Sequence, residues 1–224
     1  MIELRTYKIE ELSSILNTQS RQGLTRKLER YGIRFRIEGR GSSTTITVLE
    51  IENPFKIYCI TELGIAAQSE FRKILVFYYL FFNDEEFATM PAEAKERFID
   101  SHKSHISRQT IANYENKLYN AGLFYRSTEN FVYYFAGKDG YHYTSRETYC
   151  NAWREYYDCR NRGVDSFTAI WFMKEIYGGV ARKQAVMEEN GIYAEKIEYF
   201  NQIILNQINT ELSTNFSQTT NTNK

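Results

Sequence analysis

The chain has 224 residues, of which 42% are hydrophobic, and its 28 basic and 28 acidic residues give a formal net charge of zero. This composition supports a packed core and excludes a bulk attraction to nucleic acid, so any such binding must come from locally concentrated charge. Three cysteines without a CxxC spacing argue against a disulfide framework, and the longest apolar run, residues 74–82, is shorter than the roughly 20 residues that cross a bilayer.

The first predicted unit, residues 1–52, opens with two helices. Apolar residues recur at helical spacing over residues 9–16, and residues 17–19 then break the pattern as a turn. Ser20 suits a helix N-cap, because its hydroxyl can accept a hydrogen bond from an amide of the first turn. Gly32 suits the end of this second helix. Three apolar side chains fall on one face of it: Leu24, Leu28 and Tyr31.

A hairpin follows the second helix. Residues 33–38 and 45–51 both alternate apolar and polar side chains, and a glycine-containing turn, residues 39–43, separates them. Alternation on both sides of such a turn is typical of two antiparallel strands. The predicted order of the unit is therefore helix, turn, helix, hairpin.

Basic residues are concentrated in this unit. Residues 20–40 contain seven basic side chains but only two acidic ones, Glu29 and Glu38. Arginine and glutamine are the types that contact guanine and adenine edges bidentately, and hydroxyls contact the backbone. The predicted DNA-binding residues are Thr18, Ser20, Arg21, Gln22, Thr25, Arg26, Lys27, Arg30, Arg34, Arg36 and Arg40. The alternative is a solvated basic face on a structural domain.

The segment Tyr7-Lys8-Ile9-Glu10-Glu11-Leu12 leads directly into the first helix. This unit resembles the winged helix-turn-helix superfamily, and the segment is similar to the start of its MerR-like and excisionase branch. The chain departs from that pattern at residues 16–19, where a Gly-Val-Ser type of turn is usual. The resemblance implies that residues 20–32 form a recognition helix and that the hairpin, with Arg40 at its tip, forms a wing.

A second winged-helix-like domain is predicted over residues 69–145, after a connection at 51–68. Residues 107–121 open with the same Ser-Arg-Gln as residues 20–22, and a turn at 137–140 predicts a hairpin. Its predicted DNA-binding residues are Arg108, Gln109, Asn113 and Lys117, with Asn116, Lys103, Arg126 and Lys138 nearby. A purely structural or dimerising role is an equal alternative for this domain. Tandem winged helices also resemble plasmid replication initiators.

The rest of the chain, residues 146–212, is predicted as a C-terminal helical and possible dimerisation region. It includes a helix over 180–189 and a last helix over 193–212, whose apolar stripe suits either the core or a dimer seam. Residues 213–224 are nearly devoid of apolar side chains, which predicts a disordered tail. The fold expected from these patterns is mainly α with small β-hairpins, as tandem winged helix-turn-helix units before a helical region.

These observations predict a cytoplasmic, sequence-specific DNA-binding regulator of phage or plasmid type that binds double-stranded DNA as a homodimer. No enzyme activity, cofactor, metal or membrane contact is expected: His102 and His105 have ligand spacing but no third ligand nearby. Two alternatives stay open. One is a phage-type inhibitor or adaptor that binds a host protein complex through a winged-helix scaffold, and the other is a replication initiator.

Overall fold

The computed structural model of the chain describes residues 2–102, 104–138 and 140–221, apart from the side chains of Ser42 and of residues 214–221. Helices account for 57% of the chain and strands for 22%, and the strands form two three-stranded antiparallel sheets. The fold is therefore mixed α and β, with more strand than the predicted, mainly helical architecture.

The elements follow one another in this order: β1 (Thr6–Lys8), α1 (Ile9–Ile15), α2 (Arg21–Arg30), β2 (Ile33–Glu38), β3 (Thr45–Ile51), α3 (Pro54–Thr61), α4 (Phe71–Asn83), α5 (Glu85–Thr89), α6 (Ala92–Ser101), α7 (Arg108–Asn120), β4 (Phe124–Gly137), β5 (Gly140–Thr144), α8 (Arg146–Asn161), α9 (Ser166–Tyr177), β6 (Val180–Glu189) and α10 (Ala194–Asn221). Short 3-10 helices occupy Gly41–Ser43 and Gly191–Tyr193.

The chain divides into two compact units. The first takes the residues up to Asn83, Tyr114–Leu123 and those from Asn190 onward, and the second takes Asp84–Asn113 and Phe124–Glu189. These units do not follow the predicted division into 1–52, 69–145 and 146–212, because α10 packs on α3 and α4 whereas β6 pairs with β4.

The N-terminal part of the first unit has the predicted order of helix, turn, helix and hairpin. Strand β3 lies between β1 and β2 and pairs antiparallel with both, so the hairpin is part of a three-stranded sheet. Asn17 adopts a positive φ of 47° in the turn between the helices. The helices and the sheet share one hydrophobic core, which includes Tyr7, Leu12, Leu24, Leu28, Ile46 and Val48.

The prediction of a plain connection over residues 51–68 is wrong, since this segment contains α3. The Asn53 Oδ1 accepts a hydrogen bond of 2.7 Å from the backbone N–H of Lys56, and Pro54 occupies the first turn. An Asn-Pro pair is a turn signal, but asparagine is also a good N-cap and proline is tolerated at the first helical position. Phe55 and Cys59 of this helix are buried.

The last helix, α10, contributes its apolar stripe to the core of the first unit. Ile197, Phe200 and Ile204 are buried, and the Phe200 ring stacks on that of Tyr58 with centroids 4.3 Å apart. Of the two predicted roles for the stripe, the structure thus selects the core rather than a dimer seam. The predicted disordered tail overlaps the end of α10; residues 222–224 lie outside the described residues, and the disorder stays a prediction.

The second unit is built on the sheet β5-β4-β6, with β4 in the centre. The prediction of a helix over residues 180–189 is wrong, since they form β6, which pairs antiparallel with β4. Their alanine, lysine, glutamine and glutamate favour a helix, but pairing with a long neighbouring strand overrides that weak preference. Gly179 allows this pairing, because a Cβ there would lie 2.6 Å from the carbonyl carbon of Ala136.

None of the helices in the described ranges combines the length and the apolar content that a membrane span requires.

Candidate nucleic-acid interface

Helix α2 is fixed in place at its N-terminus and along one face. The Ser20 Oγ accepts a hydrogen bond of 3.1 Å from the backbone N–H of Gly23, which confirms the predicted N-cap. A Cβ on Gly23 would lie 3.0 Å from this Oγ, so glycine leaves room for the cap. Leu24 and Leu28 are fully buried, which leaves the opposite face of the helix to the solvent.

The exposed face of α2 carries Arg21, Gln22, Arg26 and Arg30, called here the basic face. Within the described part of the chain, none of its three arginines makes an ion pair. Glu29 is the one acidic side chain of this helix. The Thr25 hydroxyl, also in the predicted set, is half-buried and donates a 3.1 Å hydrogen bond to the carbonyl of Gln22.

Arg40 lies in the turn between β2 and β3. Its side chain is exposed and makes no ion pair with any described residue, while its carbonyl accepts a hydrogen bond of 2.8 Å from the Ser43 hydroxyl. Gly39 has a φ of 84°, and a Cβ there would collide with the backbone of Ser43, so the turn requires glycine at this position. The turn thus presents a guanidinium on a backbone held by local hydrogen bonds.

Two residues of the predicted DNA-binding set instead act inside the fold. The Lys27 ammonium donates hydrogen bonds of 2.7 Å to the carbonyl of Leu16 and 3.2 Å to that of Asn17. A cation at this position satisfies carbonyls at the end of α1 and is favoured by the helix dipole. The Thr18 Oγ1 is buried and makes no hydrogen bond to a described residue. The Lys27 ammonium is thus bonded within the fold and the Thr18 hydroxyl is buried, while contact of either residue with DNA stays a prediction.

Two further arginines of the set are paired with carboxylates. Arg34 forms an ion pair with Glu50, the residue directly opposite it on β3, and Arg36 pairs with Glu38 at 2.8 Å. The two arginine side chains are 71% and 65% exposed, so each pair contributes only about 0–1 kcal/mol to stability. Each carboxylate nevertheless offsets the positive charge that its arginine offers to a phosphate.

The second predicted recognition helix, α7, has the expected buried pair, since Ile111 and Leu118 are fully buried. Its basic side chains, unlike the arginines of the α2 basic face, lie next to hydrogen-bond acceptors among the described residues. The Lys117 ammonium donates a 2.8 Å hydrogen bond to the carbonyl of Gly64, while contact of Lys117 with DNA stays a prediction.

The start of α7 is occupied by acidic neighbours. The backbone N–H of Arg108 donates to Glu96 Oε1 at 2.9 Å, and its guanidinium lies 4.0 Å from Glu93 Oε2. Gln109 and Asn113 share a long hydrogen bond of 3.4 Å. Lys103 and the Asp139 of the predicted turn lie outside the described residues.

Two reactive groups of the first unit, Cys59 and Tyr78, are buried. Burial raises the pKa of the Cys59 thiol and that of the Tyr78 hydroxyl, so both stay protonated at neutral pH. His105 Nδ1 lies 3.0 Å from a carboxylate oxygen of Asp100. Among the described residues there is no group of three or more His, Cys, Asp or Glu side chains that could hold a metal ion.

A scan against protein families, a search of curated proteins and a search of solved structures each find no match to this chain.

Proposed function

We propose that the N-terminal part of the first unit, residues 1–51, binds double-stranded DNA, with α2 in the major groove. The observation that carries the proposal is the basic face, whose three arginines make no ion pair with any described residue and stand on a helix anchored by its buried side. In a chain of zero net charge, this local excess supplies the attraction to phosphates that the whole molecule lacks.

The residue types of the basic face match groove recognition. A ten-residue helix is about 15 Å long, and a major groove about 12 Å wide admits it. Arg21 and Arg26 suit bidentate contacts with guanine, and Gln22 suits adenine. Arg30 and the turn residue Arg40 suit phosphate contacts, which orient the protein without reading sequence. The Ser20 hydroxyl still has its proton to donate to the DNA backbone.

We also propose that residues 1–51 form a winged helix-turn-helix domain, as their sequence resemblance implies. Support comes from the succession of two helices and a hairpin that pack on one core, with Arg40 in the hairpin turn. Helices α6 and α7 and the hairpin β4–β5 follow one another in the same order, but Tyr114–Leu123 belongs to the first compact unit and the hairpin to the second, so DNA contact is assigned to the first region alone. Under this proposal the protein is a cytoplasmic DNA-binding regulator that acts by occupying its site.

The test uses the full chain and a fluorescently labelled mixed-sequence duplex. Anisotropy should report binding that weakens steeply as salt rises, and the chain should be retained on heparin. Arg30→Ala should weaken binding severalfold, whereas the matched variant Arg34→Ala, which removes an ion-paired arginine, should change it much less. No binding at low salt, or equal losses in both variants, would contradict the assignment.

The adaptor alternative finds less support. The contact surface expected for an adaptor is the aromatic-rich second hairpin together with the central helix. The central helix is α4, where Ile74, Phe77 and Tyr78 are buried, while Tyr143 of the hairpin is exposed. Co-purification of a protein partner that is insensitive to Arg26→Ala would favour the adaptor. A replication initiator would instead bind iterated sites and melt the duplex next to them.

A further inference from the structure

Helix α9 of the second unit presents its large apolar side chains to the solvent. Phe167 is 81% exposed, Ile176 65%, Trp171 49% and Phe172 39%. The rings of Trp171 and Phe172 are in contact, with centroids 5.3 Å apart, and Phe167 precedes Trp171 by one helical turn. These four side chains are called the α9 patch.

The orientation of α9 is firmly set, so the patch is not the result of a loosely held helix. Asp165 caps the N-terminus with hydrogen bonds from the hydroxyl of Thr168 at 2.6 Å and its backbone N–H at 3.0 Å, which lower the pKa of the Asp165 carboxyl. Gly178 ends the helix with a φ of 73°. The side chains that α9 buries are the smaller Ala169 and the flexible Met173.

This distribution inverts the usual amphipathic helix, which buries its aromatic side chains. Phe172 and Ile176 line a groove of about 360 Å³ between α8 and α9, with Tyr156 of α8 among the other lining residues. The groove is also lined by Glu155, Asp158 and Arg162, so the patch and the groove form one largely apolar surface with charged residues at the groove. Isolated apolar residues on a surface need no explanation, but a contiguous group of this kind marks an interaction site.

We propose that the α9 patch is the contact surface between two copies of this chain. If each apolar side chain has about 200 Å² of surface, the patch exposes roughly 450 Å². Two patches packed together bury roughly 900 Å², and with a polar rim the contact lies near ~1,000 Å², the lower limit for a specific interface, so the dimer is one that dilution dissociates. A two-fold contact uses the same surface on both copies, so one patch supplies both sides.

The charges agree with a second copy as the occupant. The zero net charge leaves no bulk repulsion between identical chains. Next to the patch α9 carries one base, Lys174, and one acid, Glu175, both exposed. A rim with both signs is complementary to its own two-fold copy and does not select a strongly charged partner. The inference is independent of the proposed DNA binding. It places the dimer contact on α9 instead of α10, because the apolar stripe of α10 packs into the core.

The test measures self-association without DNA. Sedimentation of the full chain should give twice the chain mass of 26.5 kDa at micromolar concentration and a smaller mass on dilution. The chain has two tryptophans, so a Trp153→Phe variant leaves Trp171 as the only one. Its emission should shift to the blue as concentration rises, because Trp171 becomes buried in the dimer.

Phe167→Glu and Ile176→Glu should each shift the protein to the monomer and abolish the concentration-dependent emission shift. Ile192→Lys is the matched control: this side chain is 87% exposed but lies outside α9, so its substitution should leave the dimer intact. Circular dichroism verifies that the variants stay folded. A chain that is monomeric at every concentration, or a dimer that persists in both α9 variants, would overturn the proposal.

Discussion

The two helix-and-hairpin regions open with the same Ser-Arg-Gln and end up with different electrostatics. In α2, the arginines that follow the cap point away from a leucine face and have no acidic partners among the described residues. In α7, Arg108 lies beside Glu93 and Glu96, and Lys117 is bonded to the carbonyl of Gly64. The difference shows that two helices with the same opening residues can place their basic side chains in different surroundings, and under the proposed function only α2 keeps its arginines available to DNA.

The largest expected difference in DNA affinity comes from replacing the basic residues of each region with alanine. The quadruple change of Arg21, Arg26, Arg30 and Arg40 to alanine should weaken binding to a mixed-sequence duplex on the order of 100-fold or more, because it removes the free cations. The double change Arg108→Ala and Lys117→Ala should alter that affinity by no more than about twofold. Anisotropy titrations of both variants at one salt concentration measure the difference; comparable losses would refute it.

Gln22→Ala should show whether the basic face reads sequence. A target duplex is first selected from a random-sequence library with the wild-type chain. The variant should then lose about 1–3 kcal/mol of affinity for the selected duplex, and the loss should depend on one base pair, because a bidentate contact is removed. Gln109→Ala, at the corresponding place in α7, is the control. An equal loss of affinity for every sequence would mean that Gln22 contacts the DNA backbone rather than a base.

Lys27→Met should destabilise the fold and leave DNA contact nearly unchanged. Methionine preserves the apolar stem but leaves the carbonyls of Leu16 and Asn17 without their charged donor, which costs about 1–2 kcal/mol. This loss corresponds to a decrease in Tm of roughly 2–8 °C for a chain of this size. Arg26→Met, the exposed neighbour, should change stability by less than about 0.5 kcal/mol. A strong loss of DNA affinity without a change in Tm would return Lys27 to the interface.

Arg40→Ala should give the smallest effect. One lost phosphate contact lowers the slope of log affinity against log salt by about 0.9 and weakens all sequences alike. Arg36→Ala, which removes an arginine already paired with Glu38, should leave the slope nearly unchanged. Salt titrations on an unselected duplex measure both slopes, and identical slopes would mean that the turn does not touch DNA.

Local signals predicted the part of the fold that carries the candidate site. The Ser20 cap, the buried Leu24 and Leu28 and the alternating hairpin strands depend on nearest neighbours in the chain, which sequence patterns report directly. Strand β6 could not be predicted in this way, because its helix-favouring residues are held extended by β4, some fifty residues earlier.

The site residues show the same limit. Continuing the hairpin register from its turn would place Leu49 opposite Arg34, but a bulge between Arg34 and Phe35 shifts the pairing to Glu50, so the sequence pattern could not predict this ion pair. The roles of Lys27 and Thr18 could not be predicted either, because they depend on how closely the end of α1 packs against α2. The α9 patch was equally hidden, since the side of a helix that faces the core depends on tertiary packing when two thirds of its side chains are apolar.

The salt dependence of binding to a mixed-sequence duplex tests the central claim most directly. If Arg30 of the basic face and Arg40 each neutralise one phosphate, the slope of log affinity against log salt should be about −2, and Arg30→Ala should reduce its magnitude by about 0.9. Absence of binding at low salt, or a slope that Arg30→Ala leaves unchanged, would contradict the claim that α2 is the DNA-binding element.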